Sequence, residues 1–419
     1  MKTGMFKPLQ NKSYRSLFSA QVFSDLGNWL DFVTIQVIVA YQWGLGETAV
    51  AAVIIALALP WVIVGPLASV FVDRLPKKQT MIACLVLRIV FVAGIFAAPN
   101  LYILLLFVFL KATVAALYDP ARQSSIRLTV PEDQLPEAVT LSQLSVNLTK
   151  IIGPALGGGL IAGFGVRSPL IFEAAGFLLA VLILLTLPKL EETITAEKTM
   201  KHTSYWGDLR EGFQHILSVK LLKVAILLSS AAFFIIFLYD GLLVFIAQEL
   251  GFGKEDFGLL ISSVGFGSVA GALLLGKWTE WKSKPVHLMS AASVFGGMLI
   301  LSLGLGCLGI FNLPRSGWLA GGFIIGILGS AQSIPYGYVL QAQTPKHMMA
   351  RVSSTAMALQ TFSMLIAPAA GALLAKWMGI SIVMMGAGIA TTLLGLYMII
   401  FIVKALSSTS KLERNSVQM

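Results

Sequence analysis

Twelve apolar runs leave this chain little choice of fold. Each is close to the 20 or so residues that a helix needs to cross the hydrocarbon core of a bilayer. A segment at that depth must satisfy its own backbone hydrogen bonds, so consecutive runs of this length fold as a helical bundle. They fall at about 16–42, 48–73, 79–98, 101–118, 137–163, 168–187, 221–247, 257–277, 286–309, 317–340, 353–378 and 380–404. Only 12% of residues are charged, against about 25% in soluble domains, and mean hydropathy is +0.83. The expected class is an all-α membrane protein with twelve transmembrane helices in two six-helix, pseudo-symmetric halves.

The charge pattern orients the bundle. Twenty-three Lys and Arg residues fall in the turns and tails on the side of the N-terminus, and four fall on the other side. Such a bias places both termini in the cytoplasm of a multi-pass protein of the bacterial plasma membrane. The net charge of +10 is dispersed over short turns between apolar runs, which argues against a nucleic-acid partner. Cys84 and Cys307 both lie in apolar runs and give no disulfide framework, and no cleavable signal is apparent.

The polar stretch 188–220 divides the chain into an N-terminal half, 1–187, and a C-terminal half, 221–404, followed by a tail, 405–419. Within it Trp206, Leu209, Phe213 and Ile216 recur at helical spacing, with Asp208, Arg210, Glu211 and Gln214 between them. This predicts a short amphipathic helix on the inner membrane surface. The halves repeat weakly. Pro131 precedes Pro154 by 23 residues, as Pro345 precedes Pro368, and small residues follow each second proline.

Several motifs carry a family resemblance. Residues 65–79 read GPLASVFVDRLPKKQ, with Asp73, Arg74, Lys77 and Lys78 at a span exit, and with Ser69 and Pro76 at two positions where the related pattern has Gly. The fifth span holds Gly153, Pro154, Gly157, Gly158 and Gly159. DLREGF stands at 208–213, and Asp119-Pro120-Ala121-Arg122 closes the fourth run. Together these resemble the major facilitator superfamily, in the drug-exporter branch of macrolide-efflux and enterobactin-exporter proteins. The resemblance implies a secondary active transporter, a helix-packing exporter motif at Gly153, Pro154, Gly157 and Gly158, and a conformational latch at Asp73, Arg74, Lys77 and Lys78. In that latch Asp73 meets the positive end of the eleventh span near Ser353, Ser354 and Thr355, while the bases hold acids or lipid phosphates. It also implies close packing of the fifth span on the eighth, where Gly267 and Gly271 offer a small-residue face.

Charges inside spans are expensive and call for a function or a partner. The first span carries Asp25, Asn28 and Asp31, whose three-residue steps drift around the helix, so the two acids cannot share one narrow face. Gln143, Asn147 and Lys150 share a face of the fifth span and are expected to line a cavity. Either acid could pair with Lys150 or with Lys111 of the fourth span, leaving the other for substrate or proton. Lys111 stands where the family has an arginine linked to proton coupling, and it keeps the charge without the planar fork. Arg88, Glu173 and Asp240 are the remaining charges within spans and rank below these.

Other chemistries lack their residues. Gly271 to Trp278 mimics a phosphate loop, yet Trp278 occupies the Ser/Thr position and no strand precedes it. The four histidines show no metal-ligand spacing. The expectation is therefore no enzyme, no cofactor and no metal. It is a monomeric, proton-coupled exporter embedded in the lipid bilayer, with a small amphipathic organic substrate of drug, macrolide or siderophore type and the proton as coupling ion. A lysolipid flippase of the same fold and a non-transporting membrane sensor are the alternatives.

Overall fold

The computed structural model describes residues 6–64, 72, 75–188, 205–310, 312–345 and 348–417. Asp73 and Arg74 lie outside these residues, as do the side chains of Asn147, Lys150, Trp206, Leu209 and Ser354. The chain divides into two compact units, Met1–Lys198 with Phe252–Gly265, and Thr199–Gly251 with Phe266–Met419.

The first unit contains α1 (Lys12–Val37), α2 (Glu47–Ile63), α3 (Lys77–Ala97), α4 (Leu101–Thr129), α5 (Leu135–Phe164) and α6 (Ser168–Leu185). The side chain of Asn11 caps α1 by accepting from the Ser13 amide at 2.9 Å, and that of Asn100 caps α4 by accepting from Ile103 N–H at 3.1 Å. A wide π turn over Ile38–Gln42 extends α1. In this unit α1 packs on α5 and α6, α3 on α4 and α6, and α2 on α4.

The amphipathic stretch is α7 (Tyr205–Ser218), followed by α8 (Lys220–Asp240), α9 (Leu243–Glu249), α10 (Lys254–Lys277), α11 (Pro285–Cys307), α12 (Arg315–Ala342), α13 (Met349–Met378) and α14 (Ile380–Val417). On α7, Ile216 is buried with Leu222, Ile226 and Val352. Ten helices among the described residues are long and apolar enough to cross a membrane, and two further apolar stretches, Glu47–Ile63 and Ile152–Phe164, stand where the second and fifth spans were expected.

The repeat runs deeper than its prolines. Helices α5 and α13 are each 30 residues long and end at a glycine of positive φ, Gly165 at 91° and Gly379 at 88°. Gly157 and Gly371 each stand three residues past the internal proline. In the first unit Gly157 lies against the Leu30 carbonyl of α1, and in the second Gly371 lies against the Leu238 carbonyl of α8. A methyl group at either position would run into backbone, so the same close crossing is built into both units.

Three expected boundaries are corrected. Helix α4 does not close at Asp119–Arg122 but runs through Pro120 to Thr129. Pro120 forfeits one backbone hydrogen bond, and the continuing helix buries Ala121, Arg122, Ser125, Ile126 and Thr129 in return. The seventh run is broken after Asp240 by a turn at Gly241 and Leu242, so α8 and α9 share it. Helix α13 begins at Met349 with no side-chain cap, so Ser353, Ser354 and Thr355 lie inside it rather than at its N-cap.

Candidate functional site

Seven charged side chains are buried among the described residues: Asp25, Asp31, Lys77, Arg88, Lys111, Arg122 and Glu173. All belong to the first unit. At 1.5 Å per residue, Asp25 lies about 20 Å and Asp31 about 29 Å along α1 from Lys12, which is membrane depth.

The deeper cluster centres on Lys111 of α4. Its ammonium bridges the carboxylates of Asp31 on α1 and Glu173 on α6, the latter at 2.6 Å. Arg88 of α3 is fully buried; it donates to Ser24 Oγ at 3.1 Å and to Asn28 Oδ1, and it stacks 4.0 Å from the ring centroid of Phe177, one turn beyond Glu173. Two acids and two bases from four helices thus make a neutral knot. It has two loose ends, since Glu173 Oε2 and Arg88 Nε are buried without a hydrogen-bond partner.

The second cluster holds Asp25. Its Oδ2 accepts from Gln21 Nε2 and from Ser145 Oγ of α5, each at 2.9 Å. Gln21 also donates to the Ser142 carbonyl at 2.9 Å and accepts from Ser142 Oγ at 2.9 Å. Arg122 donates to Ser142 Oγ and pairs with Asp119 three residues earlier on its own helix. Asp25 is therefore hydrogen-bonded by neutral groups and makes no ion pair among the described residues.

These clusters sort the expected site residues. The two acids of α1 point to different partners, as the drift of their spacing requires, and Lys111 is the one that pairs Asp31. Glu173 and Arg88, ranked low from the sequence, are central members. Gln143 is exposed and lines a cavity of about 660 Å³ at the ends of α3, α4 and α5. Lys77 donates to the Val72 and Leu75 carbonyls at 2.9 and 3.3 Å. Lys78 donates to the carbonyls of Leu185, at 3.0 Å, and Leu187, closing the end of α6. Lys78 thus serves as a cation at a helix C-terminus, where carbonyls are left over.

The exporter-motif glycines are packing residues. Gly153 faces Trp29 and Gly157 faces Leu30, both on α1, while Gly158 meets the backbone of Gly258 at the start of α10. Gly267 and Gly271, expected opposite α5, lie against Phe323 and Ile327 of α12 instead. The contact with α5 thus comes from an earlier part of α10 than its small-residue face suggested. Among the described residues no three His, Cys, Asp or Glu side chains converge as metal ligands.

Comparison with known proteins agrees with this architecture. The profile of the Major Facilitator Superfamily matches residues 17–303 and 237–417. The chain is 26% identical to the uncharacterized MFS-type transporter YfiS of Bacillus subtilis, over 94% of this chain and 95% of that protein. It is 29% identical to the enterobactin exporter EntS of Shigella flexneri, over 54% of this chain and 50% of that one. It is 23% identical to macrolide efflux protein A of Enterococcus faecalis, over 70% and 88% of the two. With its paired six-helix repeat, its buried charge and the family profile spanning nearly its whole length, the chain belongs to the Major Facilitator Superfamily of transmembrane transporters.

Proposed function

We propose that this transporter is a proton-coupled exporter of amphipathic organic compounds, working as a monomer by alternating access in the bacterial cell membrane with both termini cytoplasmic. The observation that carries the reading is the division of polarity. Every buried charge among the described residues belongs to the first unit, and the buried polar residues described in the second are serines and threonines. A membrane protein retains ionisable groups at depth where a charge or proton must be handled. The second unit offers Tyr336, Gln332 and Gln360 as its polar interior, with Gln360 donating to the Tyr336 hydroxyl at 3.4 Å. That chemistry suits an apolar body with a few polar groups better than a polyanion. The names of EntS and macrolide efflux protein A support export of such compounds.

Asp25 or Asp31 carries the proton in this reading, and Asp73 with Arg74 forms the latch. Sealed vesicles containing the purified protein are assayed for flux of a panel of dyes and macrolides, with and without an imposed proton gradient. Gradient-driven flux that disappears in Asp25→Asn or in Asp31→Asn is the expected result. Flux indifferent to the gradient refutes proton coupling, and driven flux retained in both variants removes α1 from the proton path.

A further inference from the structure

The two acids of α1 are not equivalent. Asp31 shares the ammonium of Lys111 with Glu173, so protonating it breaks a buried ion pair. Asp25 would give up only hydrogen bonds from Gln21 and Ser145. The charged and titratable groups around it are Arg122, Asp119 and Tyr118 on α4 and Arg88 on α3, with Glu173 on α6 and Lys111 on α4 in the deeper knot. Arg122 is engaged by Asp119, and the described side chains of α5 near Asp25 are neutral.

Asp25 is also the acid that lies near a cavity. Ser142 forms part of the wall of the 660 Å³ space, together with Lys77, Gln123, Arg127 and Gln143. On the inner side of that wall Ser142 holds both ends of the Gln21 amide, at 2.9 Å each. The same amide nitrogen reaches Asp25. The Gln21 amide therefore links the cavity wall to the carboxylate, and Asp25 lies only about 6 Å further along α1 than Gln21. Arg122 steadies the wall by donating to Ser142 Oγ.

We propose that Gln21 is a gate through which Asp25 exchanges its proton with water in this cavity, an inference that rests on the proton-coupled reading of the same site. While the amide is pinned to Ser142 the carboxylate is sealed. When it swings away, a hydronium ion reaching the carboxylate leaves its proton on an oxygen of Asp25 and departs as water, and the reverse step releases it. The amide neither gains nor loses a proton in this exchange, which suits a gate and not a relay.

The test is infrared spectroscopy of the protein in liposomes held on an internal-reflection crystal, following the carbonyl stretch of protonated carboxyl groups as the buffer is changed from H2O to D2O. A band that titrates with pH should vanish in Asp25→Asn and remain in Asp31→Asn. Asp25→Glu, which moves the band and keeps the acid, makes the assignment if the Asn variant does not fold. Gln21→Ala, which removes two hydrogen bonds to Ser142 and one to Asp25, should speed deuteration of that band by at least about tenfold, equivalent to ~1.4 kcal/mol. Gln143→Cys, made in a Cys307→Ser background and capped with a bulky maleimide, should slow it relative to the uncapped protein. A band that survives Asp25→Asn, or deuteration indifferent to both the Gln21 change and the plug, overturns the gate. The readout needs no transport. Gated exchange at Asp25 without gradient-driven flux would sink the coupling reading alone, and driven flux with ungated exchange would sink the gate alone.

Discussion

Replacing Lys111 with Met removes one positive charge and leaves two carboxylates facing each other. Asp31 and Glu173 are 2% and 0% exposed, so neither can turn to water without opening the packing of α1 on α6. Removing one partner of a buried ion pair destabilises by about 3–5 kcal/mol, whereas replacing all members by neutral groups of similar shape is close to neutral. The single variant Lys111→Met should therefore lose its monodisperse peak on heating well below the wild-type temperature. The double variant Lys111→Met, Glu173→Gln removes one charge of each sign, leaves the knot neutral with Asp31 and Arg88, and should recover most of the difference while losing the bridge. The assay is fluorescence-detected size exclusion after a temperature ramp in detergent, which reads an apparent midpoint and assumes no two-state unfolding. Lys111→Met with wild-type thermal behaviour would refute the three-way bridge. A double variant no better than the single would refute the claim that stranded charge, and not lost packing volume, is the cause.

Other consequences can be checked in the same way. Gly158→Ala and Gly258→Ala each push a methyl group into the facing backbone, and overpacking of this kind destabilises by about 1–3 kcal/mol; thermal midpoints should fall in both and fail to add in the double variant. Arg88→Lys keeps the charge but loses the fork that spans Ser24 and Asn28 and the stacking on Phe177, so its midpoint should fall by more than that of Lys78→Arg at the membrane edge, compared in the same thermal assay. Asp73→Asn should slow transport at normal expression if the latch operates, and unchanged flux rates in vesicles would dismiss it.

How much of this could be read in advance depended on where helices end. The apolar runs, the division near 188–220 and the small-residue character of α5 follow from composition and spacing, because lipid imposes length and close helix crossings impose glycine. The pairing of charges did not follow, and Pro120 is the reason. With the fourth span ending at residue 118, Lys111 sits about 10 Å from its end, far shallower than Asp31. Lys150, counted from 137, sits about 20 Å in and looks an equally good partner. With α4 continuing to Thr129, Lys111 lies about 27 Å from the end, level with Asp31 at about 29 Å. Pro120 reads as a stop, yet the nine helical residues beyond it still have apolar and small side chains to bury.

Glu173 ranks low from the sequence for a related reason: its own run does not show what the neighbouring helices bring to it. Phe177, one turn further on, gives the missing signal, since an aromatic face beside a buried acid can seat an arginine, here Arg88 at 4.0 Å. The neutral knot of Asp31, Glu173, Lys111 and Arg88 then follows from charge balance at one depth. That balance isolates Asp25. Once the knot has consumed the two deep bases and Asp119 has engaged Arg122, the remaining acid is held by an amide and a hydroxyl beside the wall of a cavity. The contrast between Asp25→Asn and Asp31→Asn separates the two acids. The first should abolish coupling and leave the fold intact, because it replaces one hydrogen-bond acceptor by another. The second should weaken the fold, because it leaves Lys111 with a single acid. The opposite pattern, a fragile Asp25 variant and a robust but uncoupled Asp31 variant, would show that the roles of the two acids are reversed.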